Sequence, residues 1–310
     1  MRKPDDCSLT QAQRAKVRAE AERALREAGA LGVFPTPIAD IMSVAKVEEV
    51  KEDVLNESFI QKLRAKALGA GQSLKTALSK VLGLFHASEG LVFIDKSLME
   101  VKKRFVRLHE SAHGFLPWQR SMYAVVEDCE NSLDPDVADT FDREANVFAS
   151  EVLFQLDTFK IEAESKTFTI YTPVEMSKKY GASVYSSVRQ YVSKNSRACV
   201  VLVINPAEPV EGHGFQASLR RVVASDSFTQ IFGNMSWPNV FTPDDQIGAM
   251  VPTGKRRASG KRNLGLTDAN GISHDCVAEA FTNTYQVFVL IHAQSTMTAT
   301  TIILPASFKR

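Results

Sequence analysis

Leu98-Met99-Glu100-Val101-Lys102-Lys103-Arg104-Phe105-Val106-Arg107-Leu108-His109-Glu110-Ser111-Ala112-His113 is the stretch on which the reading of this chain turns. Apolar residues at Leu98, Val101, Phe105, Leu108 and Ala112 recur at intervals of three and four, the period of a helix with one buried face. Lys102, Lys103 and Arg104 fall mostly between them, on the solvated side. His109 and His113 each sit one residue beyond a stripe position, so both rings border the buried face. Two imidazoles four residues apart on a helix lie about one turn from each other, close enough to share one tetrahedral zinc. Glu110 projects alongside, where its carboxylate can take a proton from water activated by the metal.

Outward from this segment, Gly114 and Pro117 are helix-ending residues. Upstream, Leu91-Val92-Phe93-Ile94 is a short β-prone run after Glu89-Gly90, and a strand there could hold an extended substrate beside the metal by edge pairing. A catalytic zinc takes three protein ligands and leaves one position open, so a third ligand is needed. Asp134-Pro135 caps a helix expected to run to about Phe154, with Phe141, Ala145, Phe148, Ala149 and Val152 on one stripe. Glu144 falls inside that stripe. A buried carboxylate needs a cation or donors beside it, and zinc would serve. Glu151 shares the stripe and competes for the role; Asp142 points away and is the weaker candidate. The bland alternative pairs Glu144 with Arg107 and treats the histidines as satisfied core polar groups.

These residues resemble the ImmA/IrrE family of metallopeptidases. The match lies in Phe105 to Gly114, in Glu144-Ala145-Asn146-Val147-Phe148-Ala149-Ser150-Glu151-Val152-Leu153, and in Val33-Phe34-Pro35-Thr36-Pro37-Ile38, and it covers roughly residues 30 to 195. The resemblance implies one zinc ion per chain on His109, His113 and Glu144, with Glu110 as general base. It also implies proteolysis of a helix-turn-helix repressor protein, switching on stress-response or mobile-element genes. Two departures concern packing more than ligation. Ser111-Ala112 stands where relatives often carry an aliphatic residue then glycine, and Gln155-Leu156 stands where a Met-Pro stop is common.

Composition bounds the rest. With 310 residues, 44% hydrophobic and 24% charged, the chain can build two or three ordinary globular domains. Thirty-seven basic against thirty-six acidic residues give a net charge of +1, so no global field draws it onto nucleic acid. Cys7, Cys129, Cys199 and Cys276 are far apart and form no Cys-x-x-Cys pair, which fits a reducing compartment and argues against a disulfide framework. The amino terminus leads into a charged helix, and the longest apolar run, Ala198 to Ile204, is far short of the roughly 18 residues of a membrane span. The expectation is a cytoplasmic protein with no membrane contact.

The fold class expected is α+β, in three parts. Residues 1–165 form a mainly helical zinc-peptidase domain with a small sheet and an amino-terminal helix. Within it, Ser8 and Gln11 are placed as a capping box for a helix to about Ala28, and Thr36 with Pro37 opens a helix to about Val44. Further helices are expected from Asn56 and Ser73. Residues 166–196 read as a helix-turn-helix-like segment: Thr172-Pro173 opens a helix to Tyr180, Gly181 stops it, and Ser183 caps a second. Ser183, Ser186 and Arg189 are its candidate DNA contacts, although a plain helical hairpin has the same layout. Residues 197–310 form an α+β domain with a buried strand at Cys199 to Ile204 and two strands between Val287 and Leu304. Some relatives carry a GAF-like sensor at this place. The basic run Lys255-Arg256-Arg257-Ala258-Ser259-Gly260-Lys261-Arg262 reads as a flexible loop. The rival to an enzyme is a DNA- or protein-binding transcriptional regulator whose zinc site does no chemistry.

Overall fold

The computed structural model describes residues 6–49, 83–86, 90–94, 98–128, 134–212 and 214–294. The helices expected from Asn56 and Ser73, and the strand expected after Ser295, lie outside the described residues. The chain combines helices and sheets, as an α+β protein does. It divides into two compact units, Met1–Glu162 with Glu175–Ser183 and Ala163–Val174 with Val184–Arg310. No helix among the described residues is long and apolar enough to cross a membrane.

The first unit opens with α1 (Gln11–Glu27). Its capping box is formed by Thr10 and Gln13, two residues later than Ser8 and Gln11. Ser8 is otherwise engaged, donating through its hydroxyl to Asp6. Val17, Ala21, Ala24 and Leu25 are buried, and Glu20–Arg23, Arg23–Glu27 and Glu22–Arg26 pairs line the outer face. Such exposed pairs are worth only a few tenths of a kcal/mol each. In α2 (Ile38–Val44) the cap is Pro37, with no side-chain bond. Thr36 faces inward instead: its hydroxyl donates to the Val152 carbonyl (3.3 Å) and accepts from Gln155 Nε2 (3.0 Å). Gln155 also donates to the Ala30 carbonyl and accepts from Gly32 N, both at 2.9 Å. One buried amide therefore fastens the turn that precedes α2.

A three-stranded sheet follows: β1 (Glu48–Glu49), β2 (Gly83–His86) and β3 (Leu91–Ile94), in the order β1-β3-β2. The strand expected at Leu91 to Ile94 is there, and at Leu91 and Val92 edge pairing with a substrate is not open to it. β3 is central, parallel to β1 and antiparallel to β2, so its backbone is paired on both sides there.

Four helices carry the chain onward: α3 (Glu100–Phe115), α4 (Pro117–Asp128), α5 (Pro135–Leu153) and α6 (Thr158–Glu164). Gly114 lies within α3, and Pro117 opens α4 rather than merely closing α3. A proline at the first helical position loses no hydrogen bond, because that N–H has no partner in the helix. Asp134 caps α5 as expected, accepting from the backbone N–H groups of Asp136 and Val137. Both α1 and α3 pack on α5. Residues Glu144 to Ala149 are consequently all buried, and α5 has no single buried stripe over that length.

α7 (Tyr171–Tyr180) straddles the division between the units, and Gly181 ends it at φ +61°. A Cβ on Gly181 would lie 2.9 Å from Cβ of Pro35, so glycine is required there for space as well as conformation. α8 (Val184–Ser193) belongs to the second unit and packs against strands of its sheet.

That sheet runs β5 (Glu208–Val210), β6 (Gly214–Ala224), β4 (Cys199–Ile204), β10 (Val287–Ala293), β9 (Ser273–Thr282), β8 (Ala258–Thr267), with β7 (Val240–Phe241) also paired to β6. Its pairs are antiparallel. Val200, Leu202 and Ile204 join Val287, Val289 and Ile291 in a core closed by Phe228 and Phe232 of α9 (Asp226–Phe232). The other face of β4 is also buried, and α8 packs on β4 and β6, which explains the unbroken apolar run Cys199 to Ile204. The basic run is not a loop throughout, because from Ala258 it is the start of edge strand β8. The register shifts between Ser259 and Arg262, and Lys261 and Arg262 are exposed. A bulge and charges on an edge discourage pairing with other chains.

Candidate metal centre

The centre is built by α3, the start of α4 and α5. In α3 the acidic Glu100 in the first turn suits the helix dipole. Arg107 is committed elsewhere: Nε and an Nη of its guanidinium meet the two oxygens of Glu49 at 2.8 and 3.2 Å. The expected alternative of an Arg107–Glu144 pair is therefore not what forms.

His109 and His113 face one another with ring centroids 5.1 Å apart and planes at 82°. One donor atom from each of His109, His113 and Asp142 comes within 4.8 Å of the other two. The third member of this group is Asp142, not Glu144. Asp142 and Asn146 are one turn apart on α5 and share a face, and Asn146 Oδ1 is 3.1 Å from His109 Nδ1. Glu144 lies on a different part of the same buried helix. Its Oε2 accepts from Trp118 Nε1 and from Gln119 Nε2, both at 2.7 Å. Glu151 also stands apart, 3.4 Å from a guanidinium nitrogen of Arg18. The stripe of Phe141, Ala145 and Phe148 favoured Glu144 because one buried face was assumed, whereas α5 is enclosed on several sides here.

The two rings are held in one tautomer by side-chain amides. Asn146 Nδ2 donates to the Asp6 carbonyl at 2.9 Å, so its oxygen is the end that faces His109 Nδ1. Gln119 Nε2 donates to Glu144 and to the Phe141 carbonyl, so Oε1 faces His113 Nδ1, at 2.7 Å. An amide oxygen can only accept, so the proton sits on Nδ1 of both rings and each Nε2 keeps its lone pair. Two neutral imidazoles protonated at Nδ1 and a carboxylate offer the nitrogen-and-oxygen donor set of a three-ligand zinc site, and the residues fit a divalent metal of that kind.

Burial shapes the charges. It lowers the pKa of His109, and with His109 as a second cause it holds His113 down to about 3, so both rings are neutral at pH 7. Burial, then the Asp142 carboxylate, pushes Glu110 up to about 8. Beside a divalent cation the Glu110 carboxyl would ionise at lower pH. Of the expected donors for a developing oxyanion, Arg120 is exposed, and the side chain of His86 lies outside the described residues. Tyr123 is at the site: its ring stands 5.3 Å from that of His113, and burial, Asp142 and Glu110 all raise its pKa.

Comparison with known proteins agrees with the resemblance read from the motif. Residues 72–187 match the family model Peptidase_M78, the IrrE N-terminal-like domain. The likeness to that domain covers a little more than a third of the chain. The matched segment contains His109, Glu110, His113, Asp142 and Glu144. No curated protein matches the chain. Among solved structures, a Mycobacterium tuberculosis transcriptional regulator is similar at 12% identity, over 90% of this chain and 76% of that one, with a TM-score of 0.48.

The expected DNA contacts lie just before α8 and within it. The division between the two compact units falls between Ser183 and Val184. Ser183, Ser186 and Arg189 are each half-buried.

Proposed function

We propose that the chain is a zinc-dependent endopeptidase of the IrrE type whose ligands are His109, His113 and Asp142, with Glu110 as general base. The observation that carries this reading is the convergence of two tautomer-fixed imidazoles and a carboxylate beside a second, protonatable carboxylate. Zinc, when bound, supplies a Lewis acid that polarises the scissile carbonyl and makes a water easier to deprotonate. His109 and His113 hold the metal through Nε2, and Asn146 and Gln119 keep the opposite nitrogen of each ring protonated. Glu110 takes the proton of the attacking water on its carboxylate and returns it to the departing amine. The Tyr123 hydroxyl donates a hydrogen bond to the oxyanion as it forms.

The substrate proposed is a helix-turn-helix repressor protein, cleaved so that stress-response or mobile-element genes are released. This rests on the family resemblance, while the proposed cytoplasmic location rests on the scattered cysteines and the short apolar runs. The test is coexpression with a candidate repressor and sequencing of any new amino terminus. Glu110→Gln is expected to keep its zinc and lose cleavage by about 10²- to 10⁴-fold. Cleavage that survives in Glu110→Gln, or metal lost from it, would refute the assignment.

A further inference from the structure

Glu144 is buried and two hydrogen bonds removed from a candidate ligand, with Gln119 between them, and the reading above gives it no task. We propose that Glu144 is a positioning residue that determines, through Gln119, which nitrogen of His113 is available to the metal. This rests on His109, His113 and Asp142 being the ligands.

The argument begins with the two ends of the Gln119 amide. Gln119 is fully buried, so both ends must find partners within the protein. Its NH₂ end faces Oε2 of Glu144 at 2.7 Å and the Phe141 carbonyl at 3.2 Å, two groups that only accept. Rotating the amide by half a turn would set its oxygen against that carboxylate in a dry environment, which is strongly unfavourable. The oxygen is thereby held against His113 Nδ1 at 2.7 Å, where only an N–H can sit. The His113 proton is kept on Nδ1, and Nε2 is left for the metal.

Glu144 cannot easily turn away, because Trp118 Nε1 donates to the same oxygen at 2.7 Å. Without the carboxylate, the weaker Phe141 carbonyl alone would oppose rotation. The flipped amide would donate to Nδ1 and move the ring proton to Nε2, the wrong atom for a ligand. His109 does not depend on a carboxylate in this way, since Asn146 is oriented by the Asp6 main chain. The effect is therefore specific to His113.

The experiment uses the full chain with ¹⁵N-labelled histidine and compares wild type, Glu144→Leu, Glu144→Gln, Gln119→Leu and Asp142→Ala. In zinc-free protein, the His113 nitrogen shifts are expected to report the Nδ1–H tautomer in wild type and in Glu144→Gln, whose side-chain carbonyl still accepts from Gln119 and Trp118. Glu144→Leu is expected to populate the Nε2–H form. In chelator competition, Glu144→Leu and Gln119→Leu should each bind zinc about tenfold to hundredfold more weakly. Both should still bind one zinc per chain at saturation, and the double variant should be no worse than either single one. An unchanged His113 tautomer in folded Glu144→Leu overturns the proposal. So does outright loss of zinc in Glu144→Gln, which would make Glu144 a ligand. Asp142→Ala tests the ligand reading separately: if it binds zinc as wild type does while Glu144→Leu shifts the tautomer, the ligand reading fails and the positioning role stands.

Discussion

Replacing Gln155 by leucine keeps most of the side chain's volume and removes all of its hydrogen bonds, so it isolates what that amide contributes. The Ala30 carbonyl, on a fully buried residue, loses the bond it accepts from Gln155 at 2.9 Å, and a stranded buried acceptor costs about 1–3 kcal/mol. Gly32 N loses its 2.9 Å acceptor, but Gly32 is exposed and water can replace it, so the net loss there is about 0.5–1.5 kcal/mol. The Thr36 hydroxyl keeps its bond to the Val152 carbonyl and adds little. Leucine inherits the same left-handed backbone, φ +55°, so conformational strain does not change the comparison much. The expected destabilisation of the first unit is about 2–4 kcal/mol. The chain has two tryptophans, Trp118 in the first unit and Trp237 in the second. In a Trp237→Phe background, urea unfolding followed by Trp118 emission reads the first unit by itself. The midpoint should fall with little change in slope. A loss below about 0.5 kcal/mol, within the range of ordinary surface substitutions, would show that the Ala30 to Thr36 turn is not held by this side chain.

The buried thiols give a chemical readout. Burial raises Cys199 to about 12 and Cys276 to about 11, so both stay protonated near pH 8 and form thiolate only as pH approaches those values. Alkylation followed by mass spectrometry should modify half-buried Cys7 in the folded protein and reach Cys199 and Cys276 only on unfolding; early labelling of Cys199 would contradict the placement of β4. In the second unit, a Cβ on Gly248 would fall 1.8 Å from the Thr242 carbonyl oxygen, which is backbone and cannot swing aside. Gly248→Ala should destabilise that unit by about 1–3 kcal/mol or more through overpacking, read from Trp237 emission in a Trp118→Phe background, and a neutral result would mean that the turn relaxes freely.

Much of the site could be read from the chain because helical period and ligand spacing are local properties. The period from Leu98 to Ala112 marked the helix α3 with its two histidines, although of that stripe only Leu108 and Ala112 are buried and Val101 is exposed, and Asp134 capped α5 as its chemistry suggests. The run Cys199 to Ile204 became β4 at the expected bounds. Choosing between Asp142 and Glu144 was a different problem. Both are carboxylates on one helix, and which one meets the histidines depends on how α3 crosses α5, a tertiary fact that periodicity does not carry. Gln119 and Asn146 were unreadable for the same reason, since an amide has no spacing rule and acquires its role from what packs against it. The long strands β6, β8 and β9 were missed because basic and polar residues on their exposed faces dilute the alternation. The Lys255 to Arg262 run in particular looks like a solvated loop until its edge position is known.

Asn146 joins two places far apart in the chain, touching the imidazole of His109 on one side and the main chain of Asp6 on the other. The Asp6 main chain thus acts as a tether on the ring, and a displacement of it is transmitted through the amide to the oxygen that faces Nδ1. A fusion partner attached ahead of Asp6, or a protease that trims past it, would perturb chemistry and not only solubility.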